Sequence, residues 1–135
     1  MIIQETLQEL NELFSIFDSQ KDKFVQLMDM AKESEGLSES EKIEKNKVYG
    51  CTSQAWILVD EHKDNTFYFR VDSDAMIVKG LLILLAKIFN GQKANEIKSI
   101  DGKMILNSIG LMGEVTNQRT NGFSSAVEKI HGLVS

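Results

Sequence analysis

Ala55-Trp56-Ile57-Leu58-Val59-Asp60-Glu61-His62-Lys63-Asp64-Asn65-Thr66-Phe67-Tyr68-Phe69-Arg70-Val71-Asp72-Ser73-Asp74-Ala75-Met76-Ile77-Val78-Lys79-Gly80-Leu81-Leu82-Ile83-Leu84-Leu85-Ala86-Lys87-Ile88-Phe89 changes period once, and the change decides the fold. Ala55 to Asp60 is rich in β-branched and aromatic residues and predicts a strand. Thr66 to Val71 alternates, with Phe67, Phe69 and Val71 on one face and Tyr68 and Arg70 on the other. His62-Lys63-Asp64-Asn65 between them suits a hairpin connection. From about Ala75 to Phe89 only Lys79 and Lys87 interrupt an apolar surface, which predicts a central buried helix. Asp72-Ser73-Asp74 reads as its cap and Asn90-Gly91 as its stop.

Working outward, Ile3, Leu7, Leu10, Phe14 and Phe17 recur at helical spacing. Asp18-Ser19 offers a stop and a new cap, and Phe24, Leu27, Met28 and Ala31 continue the period, giving two antiparallel or kinked helices. Lys32 to Lys47 mixes both charge signs with Gly36 and three serines, the composition of a solvated loop or frayed helix end. Val48-Tyr49 suits a short strand. Lys93 to Ile97 and Lys103 to Ile109 read as short helices, with Gly110 as a stop, and Asn117 as the cap of a last helix to about His131. There is no internal repeat and no proline. Helices, then strands, then helices predict an α+β fold, helices packed on a small antiparallel sheet, in a single domain over 1–135.

The chain has 135 residues, 42% apolar and 26% charged, the balance of an ordinary globular protein. Its formal charge of −5 argues against a nucleic-acid partner, whose phosphates reward clustered Lys and Arg. Met1-Ile2-Ile3-Gln4-Glu5 lacks a positive segment followed by an apolar one, so no secretory signal is visible. The longest apolar run, Gly80 to Ala86, falls short of the ~20 residues that span a bilayer. One unpaired cysteine suits a reducing compartment. The expected location is the cytoplasm, with no membrane partner.

That cysteine, Cys51, lies in Val48-Tyr49-Gly50-Cys51-Thr52-Ser53-Gln54. Alone it closes no intrachain disulfide and cannot supply the thiolates of a common structural zinc site. Buried free cysteines usually act as small hydrophobes. Gly, Thr, Ser and Gln around Cys51 instead place it in a polar turn, with Gly50 permitting a tight bend and a close approach.

Gly50-Cys51-Thr52-Ser53-Gln54-Ala55-Trp56-Ile57 resembles the Gly-Cys-x-Ser-x-x-Trp signature of the SufE family. Asp72-Ser73-Asp74-Ala75-Met76-Ile77-Val78-Lys79-Gly80 resembles that family's Asp-Ser-x-Ala-x-Ile-Val-x-Gly segment, and Arg119-Thr120-Asn121-Gly122-Phe123 its Arg-x-x-Gly-hydrophobic segment. The resemblance implies a SufE/NifU-like fold and a sulfur acceptor that stimulates a cysteine desulfurase, of SufS-like or CsdA-like kind, rather than a stand-alone enzyme. By it, Cys51 cycles between thiol and persulfide and relays sulfur to a downstream iron–sulfur scaffold. It implies no cofactor on this chain, because the pyridoxal phosphate belongs to the desulfurase. Gly50, Ser53, Asp74 and Arg119 become candidate site or docking residues, and an apolar rim around the cysteine would serve a transient partner or a homodimer.

Sulfur uptake requires a thiolate, and a thiol of pKa ~8.5 is only about 3% ionised at pH 7. Backbone amides of the Gly50–Ser53 turn and a nearby cation are the candidate activators. Arg119 would lower the thiol pKa or pair with Asp74 if the last helix folds back over the turn. Asp74 itself would raise it. Trp56 reads as sheet core, and it or the central helix would line a shielding pocket. Gly122, unfavourable inside a helix by about 1 kcal/mol against Ala, signals close packing. Two rivals use the same cysteine differently. A cysteine hydrolase needs His62 or His131 as base, although His62 reads as a hairpin residue and His131 as a helix C-terminal cation. A NifU-like cluster scaffold needs three cysteines. A regulator that only reshapes the desulfurase is the third alternative.

Overall fold

The computed structural model describes residues 2–135. Strand β1 (Ala55–Glu61) pairs antiparallel with β2 (Thr66–Ser73), Ala55 opposite Ser73, Trp56 opposite Asp72 and Glu61 opposite Phe67. Asn65 closes the hairpin at φ 65°, a left-handed conformation that asparagine tolerates better than most residues. A third strand, β3 (Gln92–Lys93), adds to the far edge of β2 and gives the order β1-β2-β3. The sequence assigns Lys93 to a helix; in the fold Lys93 ends the strand and the helix runs Ala94–Ile97.

The apolar face of the sheet carries Ile57, Phe67, Phe69 and Val71, all buried. The central helix α3 (Met76–Phe89) lies against it and buries Leu81, Leu82, Leu84, Leu85, Ile88 and Phe89. Helices α1 (Ile3–Ser15) and α2 (Gln20–Glu33) pack on α3, and Ser19 caps α2 by accepting from the Asp22 amide. After α4 (Ala94–Ile97), Asp101 caps α5 (Gly102–Ser108) through the Met104 amide, and Gly110 turns the chain at φ 79°. The last helix, α6 (Asn117–Leu133), is capped by Thr116 rather than by Asn117 and runs past His131.

Three further sequence expectations need correction. The cap of α3 is Ala75, and no side chain bonds the first turn. The acidic pair preceding it belongs to the sheet and its loops, for β2 continues through Asp72 and Ser73. The charged stretch before the cysteine is also more than a solvated loop. Its 3-10 turns at Glu39–Glu41 and Glu44–Asn46 follow a buried Leu37, and Lys47 bridges to Trp56 on the edge of β1. The expected Val48-Tyr49 strand is reduced to this bridge, with the Val48 N–H donating to the Ala55 carbonyl at 2.8 Å.

Candidate functional site

Cys51 sits in the turn between that bridge and β1, where the chain reverses over α6. Gly50 makes the reversal at φ 97°, and a Cβ there would lie 2.5 Å from Ser125 Oγ on α6. One residue on, the Cys51 thiol donates to the Gly122 carbonyl at 3.7 Å. A Cβ on Gly122 would stand 3.1 Å from Cys51 Sγ. The glycine that disfavours helix locally is thus the seat of the thiol, and the last helix does fold back on the cysteine turn.

The downstream end of the turn is clasped by β2. Gln54 donates its N–H to Asp74 Oδ1 at 3.0 Å. Its carbonyl accepts from the Asp74 N–H at 3.1 Å and from Ser73 Oγ at 2.7 Å. Ser73 Oγ also accepts from the Ala75 N–H at 3.2 Å. Asp74 therefore holds the cysteine turn rather than the helix. Ser53 is half-buried within the turn and Thr52 is exposed.

Beside the thiol opens a small hollow of about 20 Å³, walled by Val78, Leu81 and Leu82 of α3 and by Gln118, Arg119, Gly122 and Phe123 of α6. Trp56 is buried elsewhere, with Lys42 Nζ 5.4 Å from its ring centre, so the central helix and not the tryptophan lines the pocket. Arg119 stacks over Phe24, guanidinium carbon to ring centre 5.8 Å. Among the described residues it makes no ion pair with Asp74. Gln118 carries no signal in the sequence, and Val78 and Phe123 stand there only as members of the quoted blocks, not as lining residues. Their role depends on two helices distant in the chain converging, which no local pattern announces.

Burial pushes the Cys51 thiol pKa up, and neither a cation nor the turn's amides offset it. The two activators expected from sequence thus do not act in this conformation. Cys51 in the free protein should alkylate with an apparent pKa above that of an ordinary cysteine, read from rates against pH. A midpoint below the ordinary value would mean that Arg119 or an amide reaches the sulfur. Gly122→Ala should displace the thiol by a few tenths of an ångström and quicken its alkylation severalfold. Stability should change little, since Ala gains up to ~1 kcal/mol of helix propensity there. An unaltered alkylation rate would deny the seat.

The histidines are engaged away from the hollow. His62 stacks on Tyr68 with ring centres 4.2 Å apart, and His131 Nε2 contacts the Ile100 carbonyl at 3.0 Å. Neither lines the hollow beside Cys51, and hydrolase chemistry has no base there. Among the described residues, no helix is long and apolar enough to cross a membrane.

A single half-buried thiol thus lies beside an apolar hollow on a helix-flanked sheet, an α+β fold with one sheltered sulfur. The chain belongs to the SufE family: residues 8–134 match the family's model, described as an Fe-S metabolism associated domain. It is 32% identical to an uncharacterized SufE-like protein of Rhizobium meliloti, over 93% of this chain and 91% of that one. An uncharacterized SufE-like protein of Synechocystis is 37% identical over 87% of this chain and 72% of its own length. The SufE-like protein 1, chloroplastic/mitochondrial, of Arabidopsis thaliana is 34% identical, over 86% of this chain but 31% of that longer protein. The fold is shared with the solution structure of a hypothetical protein from Thermus thermophilus, at a TM-score of 0.75 and 18% identity, covering 96% and 93% of the two chains. Family membership places the protein in iron–sulfur metabolism and sulfur handling.

Proposed function

We propose that the protein accepts sulfane sulfur on Cys51 from a cysteine desulfurase and relays it towards iron–sulfur cluster assembly. The observation that carries this is the clasped thiol beside an apolar hollow. In the transfer the Cys51 thiolate attacks the outer sulfur of the donor's persulfide. A new S–S bond forms on Cys51, the donor's S–S bond breaks, and the donor cysteine leaves as a thiolate. The Cys51 proton is lost to solvent before attack. The hollow then shelters the product's outer sulfur from other thiols, against the side chains of Val78, Leu81 and Leu82.

Shelter and reactivity conflict while the turn is closed, because burial that protects a persulfide also suppresses the thiolate needed to form it. The turn therefore leaves its seat on α6 when the desulfurase binds, and Asp74, Ser73 and Gly122 lose their hold on it. Asp74 and Gly50 lie exposed at the rim and face the incoming partner, while Arg119 stays in the wall of the hollow. The test is to mix the protein with its cognate desulfurase and cysteine and take non-reducing intact and peptide masses. One added sulfur on the Cys51 peptide, removed by reductant and absent without desulfurase, supports the acceptor role. An unmodified Cys51 beside an active desulfurase would reject it.

A further inference from the structure

Among the described residues, Asp72 is the one buried acidic side chain of the sheet, with 9% of its side chain exposed. Its Oδ2 accepts from the Leu37 N–H at 2.9 Å and lies 3.4 Å from Lys42 Nζ. Its Oδ1 accepts from its neighbour Ser73 N–H at 2.8 Å and lies 3.7 Å from Lys79 Nζ of α3, which also donates to the Ser34 carbonyl at 3.2 Å. A Cβ on Gly36, whose φ is 72°, would sit 2.4 Å from Oδ2. The carboxylate thus ties residues 34–42 to the end of β2, at a point where the chain approaches too closely for any side chain. Burial opposes its ionisation, but the two amides and two ammonium groups outweigh that and hold its pKa below the ordinary value.

The position of this knot carries the inference. The strap that Asp72 holds at Leu37 runs on through the Lys47–Trp56 bridge and enters the cysteine turn at Gly50. Across the ladder Asp72 faces Trp56, over which Lys42 also lies. On its other side Asp72 is followed directly by Ser73 and Asp74, the clasp on Gln54. Both arms of the Cys51 turn therefore lead back to one carboxylate. We infer that Asp72 is a positioning residue for the cysteine turn: it couples the 34–48 strap to the Gln54 clasp, so that strap and turn open together and expose the thiol. An isolated ion pair placed for stability alone would hold the strap without reference to the turn. The significance of this coupling for sulfur transfer rests on the function proposed above; the coupling itself does not.

Wild-type hydrogen exchange tests it first, with no partner protein. The Leu37, Val48 and Gln54 amides should exchange through one shared opening, slower than the frayed termini and faster than the α3 core. Separate rates for Leu37 and Gln54 would overturn the coupling. Asp72→Asn and Gly36→Ala then disturb the knot from opposite sides. Each should speed Cys51 alkylation about threefold or more well below the unfolding temperature, the population change that an ion pair of modest strength controls. Lys42→Met, which removes one half-exposed ammonium, should give a smaller rise and keeps the test open if the other two fail to fold. Ile105→Val, a buried core change in α5 outside residues 34–48, serves as the stability control. Unchanged alkylation in the folded variants, or an equal rise in the Ile105 control, would reduce Asp72 to a structural residue. These readouts use no desulfurase, so they stand or fall apart from sulfur acceptance.

Discussion

Cys51→Ser should abolish the sulfur-bearing mass on the protein while leaving the fold in place. Serine is close to cysteine in shape, and although the Gly122 carbonyl, 3.7 Å from the sulfur, lies beyond the reach of a hydroxyl, the half-buried position leaves that hydroxyl open to water. Stability should therefore move by no more than about 0.5 kcal/mol, the range of substitutions that create no cavity and strand no polar group. The chemistry is lost completely, because an alcohol is far from ionised at neutral pH and forms no persulfide. Uptake falls below detection rather than by a factor. Stimulation of cysteine turnover is the second readout: if acceptance drives it, turnover returns to the desulfurase's own rate. Stimulation that survives in Cys51→Ser would mean that contact alone activates the partner. Sulfur still found on a Cys51→Ser protein would sink the acceptor role outright, since the chain has no other cysteine.

The parts of this fold that sequence foretells are those whose determinants lie within one element. The hairpin and α3 are legible because the apolar period passes from two to 3.6 within a single stretch, and because α3 is apolar nearly all round. β3 is not legible, since two residues are too few to show an alternation. Asp72 misleads for a different reason: an acidic residue before a helical run has the same local appearance whether it caps the helix or binds a distant strap. Only the approach of Gly36, Leu37, Lys42 and Lys79 separates the two. The same divide runs through the site. Gly122 shows from sequence that something packs closely on the last helix, yet not that the something is Cys51 Sγ. The clasp on Gln54 is hidden because Gln54 enters it only through its backbone N–H and carbonyl, which are identical at every position and do not mark where the Ser73 and Asp74 side chains bind. What the three sequence blocks share, seen in the fold, is the turn itself: one supplies the cysteine, one its clasp, one its seat.

The second block also contains Gly80, where the largest loss of stability is expected. A Cβ at Gly80 would lie 2.4 Å from the Leu27 carbonyl oxygen and 2.8 Å from its carbon, both backbone atoms of α2. No side-chain rotation relieves such a contact, so α2 and α3 must separate. Intrinsic propensity acts the other way, favouring Ala over Gly in a helix by about 1 kcal/mol. Backbone overlap wins, as overpacking a tight core costs typically ~1–3 kcal/mol and here shifts whole helices. Gly80→Ala should thus destabilise by roughly 2 kcal/mol, a fall in Tm of about 5–10 °C for a chain of this size, and Gly80→Val by more. Gly132→Ala on α6 is the control, because a Cβ there meets nothing within 4 Å, and it should be neutral or mildly stabilising. The damage should also reach the site. Val78, Leu81 and Leu82 flank Gly80 and wall the hollow beside Cys51, so a displaced α3 loosens the shelter and speeds alkylation of the thiol. Equal melting temperatures for Gly80→Ala and the parent would show that the α2–α3 crossing relaxes freely, and would remove the claim that this glycine fixes the wall of the site.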